Sequence, residues 1–266
     1  MNDTVRISVA AGVATLQLNR PAQLNALSSE MMQGLRAAAE QATADPSVHV
    51  IVIEGAGSHF MAGGDIREFH SHLHLDAAAR LETFRAMIEQ WINPAIAALR
   101  NAPQPVIAKV RGACAGFGLS LMLACDLALA AEDAVFTTAY AQIALAPDGA
   151  QSWFLPRIAG SRKAAELLLL SERLSAAQAL ELGLVNRVVP GADLDAAVAA
   201  IAARLANGPR QAYAEMKRLL QSTATSTLAE QSSAEALAFA RCAATGDFTE
   251  GITAFLDKRK PSFKGR

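Results

Sequence analysis

Two glycine-rich stretches and one isolated carboxylate carry the residue types best suited to chemistry in this 266-residue chain. The first stretch, Phe60 to Ile66, lies between an apolar strand predicted at Val50 to Ile53 and a helix predicted to begin near Asp65. Glycine permits close approach to the backbone, and the first N–H groups of a helix have no partner within it. Such a loop is suited to bind an oxyanion or a phosphate, although glycines between a strand and a helix also form plain turns.

The second glycine-rich stretch, Gly112 to Ser120, follows a predicted strand at Val106 to Val110 and opens a helix. Two units of strand, glycine loop and helix start can supply two convergent N–H donors to one developing negative charge. Gly116-x-Gly118 also resembles part of a dinucleotide fingerprint, but Leu121 replaces the third glycine. A dinucleotide site is therefore disfavoured.

The isolated carboxylate is Asp148, which lies between Pro147 and Gly149 in an otherwise apolar stretch of small residues. Pro-Asp-Gly is a common turn signal, so a plain turn is the alternative interpretation. If the carboxyl group is buried, desolvation raises its pKa towards the range of a useful base at neutral pH. The apolar residues nearest to it in the sequence are Ile143, Leu145, Trp153 and Phe154.

Neither a serine hydrolase nor a metal enzyme is indicated by the remaining polar residues. Ser120 lies in Gly118-Leu119-Ser120, but all five histidines precede Tyr140, so none can complete a Ser-His-Asp order. A helix brings His70 and His74 to one face and turns His72 away, which disfavours a metal site. The three cysteines include no Cys-x-x-Cys pair and predict neither a disulfide framework nor a zinc site.

Composition excludes several classes of partner. The hydrophobic fraction is 52% and the formal net charge is −1, which argues against nucleic acid and against a membrane surface. The N-terminal residues lack the basic and apolar segments of a signal peptide, and no apolar run is long enough to span a membrane. We therefore expect a cytoplasmic protein.

Strand-like and helix-like patterns alternate through the first half of the chain, which predicts an α/β core. From Ser161 the pattern is almost wholly helical, with one further strand at Val185 to Val189. Gly208-Pro209 is the best candidate boundary, giving a core over residues 1–207 and a helical region over residues 208–266. One long helix is predicted at Asp76 to Asn101, and capping boxes are predicted at Ser175-x-x-Gln178, Thr227-x-x-Glu230 and Asp247-x-x-Glu250.

Several motifs agree in order with one protein family. They are Asn19-Arg20-Pro21 with Asn25-Ala26-Leu27, Phe60 to Ile66, Gly112-x-x-x-Gly116-x-Gly118 with Cys125-Asp126, and Leu145 to Gly149. Together they resemble the enoyl-CoA hydratase/isomerase family, also called the crotonase family. The resemblance extends over nearly the whole chain.

The resemblance implies an α/β crotonase-like spiral of strand-strand-helix repeats, with a helical C-terminal region used in trimerisation. It also implies a homotrimer or hexamer, an acyl-CoA substrate, and neither a metal nor a cofactor besides the coenzyme A of the substrate. The family's oxyanion hole, which holds the thioester carbonyl, maps to the N–H groups of Gly64 and Phe117. The CoA contacts implied by the resemblance are Gln23, Leu24, Ala62, Gly64, Asp65 and Ile66.

The chain departs from the family's hydratases at two positions. Their paired glutamates correspond here to Ser120 and Tyr140, which are not effective carboxylate bases, so efficient hydration is disfavoured. Isomerases of the family instead carry a single acid at the position of Asp148, and Pro147 to Arg157 resembles the isomerases of phenylacetate breakdown. The resemblance therefore favours an enoyl-CoA isomerase, with a hydratase or a non-catalytic acyl-CoA binder as alternatives. Acyl-chain identity and the choice between trimer and hexamer stay open.

Overall fold

A computed structural model describes residues 3–265; Met1, Asn2 and Arg266, which the two predicted regions include, lie outside the described residues. The strands are β1 (Val5–Ala10), β2 (Val13–Leu18), β3 (Val50–Gly55), β4 (Val106–Val110), β5 (Ala113–Ala115), β6 (Leu127–Ala131), β7 (Val135–Thr137), β8 (Leu174–Ser175) and β9 (Arg187–Val189). The helices are α1 (Ser29–Ala44), α2 (Ile66–Ser71), α3 (Ala77–Met87), α4 (Asn93–Asn101), α5 (Phe117–Ala124), α6 (Gln151–Ala159), α7 (Ser161–Leu170), α8 (Ala176–Glu181), α9 (Leu194–Ala206), α10 (Arg210–Ser222), α11 (Leu228–Ala243) and α12 (Gly246–Leu256). No helix within residues 3–265 has the length and apolar character needed to cross a membrane.

The larger sheet has six strands in the order β1-β2-β3-β4-β6-β9. Only β1 and β2 pair antiparallel; every later neighbour is parallel. Its central strand β3 is apolar at every position from Val50 to Ile53, and all four residues are buried. Because successive side chains alternate between faces, Ile51 and Ile53 enter the main core, while Val50 and Val52 pack in the cluster that contains Leu194 and Val198 of α9.

The smaller sheet has the order β5-β7-β8; β5 and β7 pair parallel, and β8 pairs antiparallel with β7. After β4 in the large sheet the chain enters β5 and then α5, and after β6 it enters β7. Met61, which follows β3, forms a parallel bridge with Cys114 of β5. The repeated unit of a long strand, a short strand and a helix produces a spiral, and the glycine loops that follow the short strands become neighbours.

One strand start and one additional strand in the second half of the chain differ from the sequence expectation. The strand predicted at Val185 to Val189 begins only at Arg187, and the structure adds the two-residue strand β8, so this half has two strands instead of one. A segment as short as β8 shows no detectable alternation, and its position depends on pairing with β7.

The long helix predicted at Asp76 to Asn101 contains an irregular turn. A π-helical segment, Ile88–Ile92, separates α3 from α4, and the N–H of Asn93 donates to the carbonyl of Ile88, five residues earlier. Proline in the first turn of α4 has no N–H to give to the preceding turn. The helical path continues because the wider π turn accommodates that missing donor.

Two of the three predicted capping boxes are present. Ser175 with Gln178 and Thr227 with Glu230 each make both reciprocal hydrogen bonds. The box predicted at Asp247 is wrong, because α12 begins two residues earlier and its cap is Thr245. The buried carboxylate of Asp247 instead accepts backbone hydrogen bonds from Lys264 and Gly265, at 2.6 and 2.8 Å. It therefore fastens the C-terminal segment.

A buried lysine connects the helical C-terminal region to the α/β core. Lys217 of α10 is 8% exposed; its ammonium group lies 2.7 Å from Asp126 Oδ2 and donates to the carbonyls of Leu99 and Gln104. Burial lowers the pKa of Lys217, and the Asp126 carboxylate partly opposes that shift. The predicted boundary after residue 207 stays a prediction. The contact between Lys217 and Asp126 joins the two predicted regions.

We expect Lys217→Met to destabilise the protein by about 2–3 kcal/mol, because it leaves the Asp126 carboxylate and two carbonyls without this donor. Urea unfolding measures the change. The matched control is Lys163→Met, since Lys163 forms a more exposed pair with Glu166 within α7. The control is expected to change the unfolding free energy by less than about 0.5 kcal/mol, and equal losses in both variants would contradict the role of Lys217.

Candidate active site

The two glycine-rich stretches lie side by side because their first residues pair with each other. Met61 N–H donates to Ala113 O at 3.0 Å, and Ala115 N–H donates to Met61 O at 2.8 Å. From the bridged pair of Met61 and Cys114, three residues further along each parallel chain lead to Gly64 and Phe117. The two residues predicted to form the oxyanion hole thus have equivalent positions on neighbouring turns of the spiral.

Glycine is required where these loops touch. Gly63 has φ +99° and Gly116 has φ +51°, and a Cβ added to Gly116 would lie 3.3 Å from the Cα of Gly63. Phe117 is the first residue of α5, so its N–H has no partner within that helix. Within residues 3–265, neither Gly64 N–H nor Phe117 N–H donates to a protein acceptor. The arrangement provides two uncommitted donors from adjoining loops.

Asp148 lies against the loop that carries Phe117. The next residue, Gly149, packs so closely that an added Cβ would lie 2.9 Å from both the Phe117 ring and Cβ of Ser120. Burial raises the pKa of the Asp148 carboxyl group, while a 2.6 Å hydrogen bond from the Tyr140 hydroxyl partly opposes the increase. The direction of the predicted shift is confirmed. A carboxylate with a raised pKa is suited to exchange protons near neutral pH.

The sequence neighbours named as the apolar surroundings of Asp148 are mostly elsewhere. Ile143, Leu145 and Trp153 are 44%, 45% and 38% exposed. Trp153 and Phe154 line a separate cavity of about 680 Å³, which Asp148 does not line. Proximity in the sequence is therefore a poor guide, because Ile143 and Leu145 are exposed before the turn, and Trp153 and Phe154 on α6 line the other cavity.

A buried polar cluster surrounds Asp148. Ser120, which is fully buried, donates from Oγ to the backbone carbonyl of Asp148 at 2.9 Å, and the Tyr140 hydroxyl donates to its Oδ1. Gln151, which sequence reasoning missed, is 1% exposed and donates from Nε2 to Gly116 O at 3.1 Å and to Ser120 Oγ at 3.2 Å. Ser120 and Tyr140, which the resemblance matches to the hydratase glutamates, therefore contact Asp148 directly.

The residues predicted to contact CoA come from two segments that the fold brings together. Ala62 N–H donates to Leu24 O at 3.0 Å, and Leu27 forms a parallel bridge with Gly64. Leu24 and Ile66 are 43% and 56% exposed, so their side chains are accessible at the surface. Gln23 lies in the short 3-10 turn immediately before Leu24. The predicted contacts form one continuous region next to Gly64.

Within that region the Asp65 side chain already has several partners. It caps α2 through the N–H groups of Arg67 and Glu68, and it pairs with Arg20 at 2.8 Å. Partial burial acts to raise the pKa of Asp65, but the hydrogen bonds from Arg20 and the two N–H groups outweigh it, and the pKa is lowered. These contacts hold the segment containing Arg20 next to the first glycine loop.

The expectation that a helix brings His70 and His74 to one face is wrong, because α2 ends at Ser71 and His74 lies beyond it. His72 Nδ1 contacts Glu68 O at 2.8 Å, and His74 Nδ1 contacts Ser71 O at 2.7 Å. No group of three or more His, Cys, Asp or Glu within residues 3–265 is placed to hold a metal ion. The cluster is accounted for by local hydrogen bonds.

A model of the enoyl-CoA hydratase/isomerase family matches residues 8–266. The chain belongs to this family. A 1,2-epoxyphenylacetyl-CoA isomerase from Escherichia coli strain K12 is 34% identical over 266 residues, covering 100% of both chains. A protein from Rhodobacter capsulatus named "Probable enoyl-CoA hydratase" is 35% identical over 263 residues, covering 99% of this chain and 98% of the relative.

Solved structures of this family share the fold. A crystal structure of an enoyl-CoA hydratase from Polaromonas sp. JS666 matches with a TM-score of 0.91 and 35% identity, covering 98% of this chain and 99% of the other. The predicted crotonase-like α/β fold is confirmed, with a helical C-terminal region. The names of the similar family members include both hydratases and isomerases, so the family alone leaves the reaction open.

Proposed function

We propose that the protein is an enoyl-CoA isomerase that moves a double bond from C3 to C2 of an acyl-CoA thioester. The observation that carries the proposal is the partly buried carboxyl group of Asp148, with a raised pKa, on a backbone bound through Ser120 to the helix that begins at Phe117. The N–H groups of Gly64 and Phe117 are proposed to bind the thioester oxygen. Ala62, Gly64 and the exposed side chains of Leu24 and Ile66 are proposed to contact the CoA body, together with Gln23 and Asp65.

In the proposed reaction, the Asp148 carboxylate removes a proton from C2 of a 3-enoyl-CoA. The electron pair of the broken C–H bond forms a dienolate, whose oxygen accepts hydrogen bonds from the two N–H groups. Asp148, now protonated, returns the proton to C4, and the double bond moves between C2 and C3. One carboxyl group suffices because the proton removed equals the proton returned. The proposed reaction uses no cofactor other than the coenzyme A of the substrate.

Hydration is the competing function, and the polar cluster argues against it. Addition of water across a double bond requires one group that removes a proton from water and one that delivers a proton to carbon. The resemblance matches Ser120 and Tyr140 to the hydratase glutamates, and both hydroxyl groups contact Asp148 and each other. Burial and the neighbouring Asp148 charge raise the pKa of Tyr140. Its hydroxyl is therefore a poor base at neutral pH.

Absorbance measurements distinguish the two reactions. A 3-enoyl-CoA is expected to gain the absorbance of a conjugated 2-enoyl thioester, whereas crotonyl-CoA is expected to keep it. A panel of linear and ring-derived 3-enoyl-CoA substrates then defines the acyl group. Rapid loss of crotonyl-CoA absorbance, without isomerisation of any 3-enoyl substrate, would replace the proposed isomerase with a hydratase.

Proton exchange tests the non-catalytic alternative. Incubation of an acyl-CoA with the protein in heavy water is expected to place deuterium at C2, detected by NMR, because enolate formation is reversible. Binding of the acyl-CoA without any exchange would support a binding protein that lacks the chemistry.

Assembly into a homotrimer, or a hexamer of two trimers, is also proposed. Leu228 and Phe239 of α11 and Phe255 of α12 are 85%, 74% and 80% exposed in the single chain. Several large apolar side chains exposed to this extent on two helices are typical of protein contact surfaces. We expect sedimentation equilibrium to give a mass three or six times that of the chain, and a monomer at micromolar concentration would contradict the assembly.

A further inference from the structure

Asp148 is held at two separate points. The Ser120 hydroxyl has one hydrogen, which is directed to the backbone carbonyl of Asp148 at 2.9 Å, and it accepts from Gln151 at 3.2 Å. The Tyr140 hydroxyl also has one hydrogen, and its 2.6 Å distance to Asp148 Oδ1 makes the carboxylate the favoured acceptor. Ser120 therefore fixes the backbone of Asp148, whereas Tyr140 fixes its carboxyl group.

Both attachments lead back to the loop that carries Phe117. Ser120 is on the first turn of α5, three residues after Phe117, and Gln151 bridges its hydroxyl to the carbonyl of Gly116. Gly116 N–H in turn donates to Thr137 O at 3.1 Å, at the end of β7 and three residues before Tyr140. The residues around Asp148 and the second N–H donor thus form one connected unit.

We propose that Tyr140 is a positioning residue for Asp148, whose hydroxyl aims the carboxylate at the substrate carbon while the same unit holds Phe117 N–H at the substrate oxygen. This inference rests on the proposed isomerase function for its effect on rate, but the hydrogen bond itself exists without substrate. The resemblance matches Tyr140 to a glutamate of the hydratases. In this chain the residue instead donates a hydrogen bond to Asp148.

Tyr140 is suited to this role because it remains a donor. It is 8% exposed, and burial together with the Asp148 charge raises its pKa above the ordinary value. Within residues 3–265, Asp148 has no ion pair with Arg, Lys or His, and Tyr140 provides the side-chain hydrogen bond to its carboxylate. Loss of this hydroxyl removes the interaction that favours the ionised carboxyl group.

Tyr140→Phe tests the proposal, and Tyr213→Phe is the matched control because these are the two tyrosines of the chain. Tyr140→Phe is expected to lower kcat for a 3-enoyl-CoA about tenfold through misplacement of the base, with KM nearly unchanged. The acid limb of its kcat profile is expected to move to higher pH, since the carboxyl group loses a hydrogen bond that lowers its pKa. Tyr213→Phe is expected to change neither quantity.

A measurement without turnover separates this inference from the function on which it rests. Carboxyl ¹³C NMR titration follows Asp148, whose resonance is assigned by its loss in Asp148→Asn. Its midpoint is expected at higher pH in Tyr140→Phe than in the wild type. An unchanged midpoint and an unchanged kcat profile would overturn the role of Tyr140, whereas absence of isomerisation by the wild type would overturn the proposed function.

Discussion

Replacement of Asp148 by asparagine is expected to lower kcat for double-bond migration by about a thousandfold or more, while acyl-CoA affinity changes little. The amide has nearly the same size as the carboxyl group and can still accept the hydrogen bond from Tyr140 Oη, but it cannot take a proton from C2. Absorbance at the conjugated thioester band measures turnover, and calorimetric titration with a saturated acyl-CoA measures binding.

Asp193→Asn is the matched control, because Asp193 is exposed, makes no side-chain cap at α9 and lies outside the candidate site. Its kcat is expected to equal that of the wild type. If Asp148→Asn retained most of the wild-type turnover, Asp148 would be removed from the mechanism, and another base would have to be sought.

The same substitution is expected to lower activity without lowering the stability of the fold. Burial raises the pKa of Asp148 in the folded protein, so the native state disfavours the ionised form relative to the unfolded chain. The resulting destabilisation is present above the folded-state pKa and disappears below the unfolded-state value. We therefore expect Asp148→Asn to melt no lower than the wild type at neutral pH, and any advantage to vanish in acid. A variant that loses activity without losing stability points to a site selected for chemistry.

The second large effect is expected from Gly116→Ala, which should lower kcat by about a hundred- to a thousandfold through damage to the proposed oxyanion hole. Gly116 has φ +51° and ψ −123°, a conformation in which a residue with Cβ is strained. The new Cβ would also lie 3.3 Å from the Cα of Gly63 in the other loop. Relief of that strain shifts Phe117 N–H away from the position needed by the substrate oxygen.

Gly160→Ala is the matched control, because it tests whether backbone strain alone lowers turnover when the loop that carries Phe117 is left intact. Gly160 has φ +80°, and no atom lies within 4 Å of an added Cβ, so the substitution is strained without a collision. Both variants are expected to lose some thermal stability, but only Gly116→Ala should lose turnover. Steady-state kinetics on a 3-enoyl-CoA decides the comparison, and wild-type kcat in Gly116→Ala would exclude Phe117 N–H as an essential donor.

The local elements were largely predictable because their signals are local. Apolar runs predict β3 and β4, and capping boxes predict the starts of α8 and α11. The errors arose where a distant or overlooked group decided the outcome. Asp247 caps nothing because it binds the backbone of Lys264 and Gly265, and the helix over residues 76–101 changes pitch where proline removes a donor.

The sequence by itself determined the family, through the order of its motifs, and with it the candidate roles of Gly64, Phe117 and Asp148. Only the tertiary structure revealed that Tyr140 donates to Asp148, that Ser120 holds the backbone of Asp148 and that Gln151 joins Ser120 to Gly116. The reason is physical. Spacing along a chain limits how far apart two residues can be, whereas the direction of a buried side chain is set by parallel pairing and packing between segments remote in sequence.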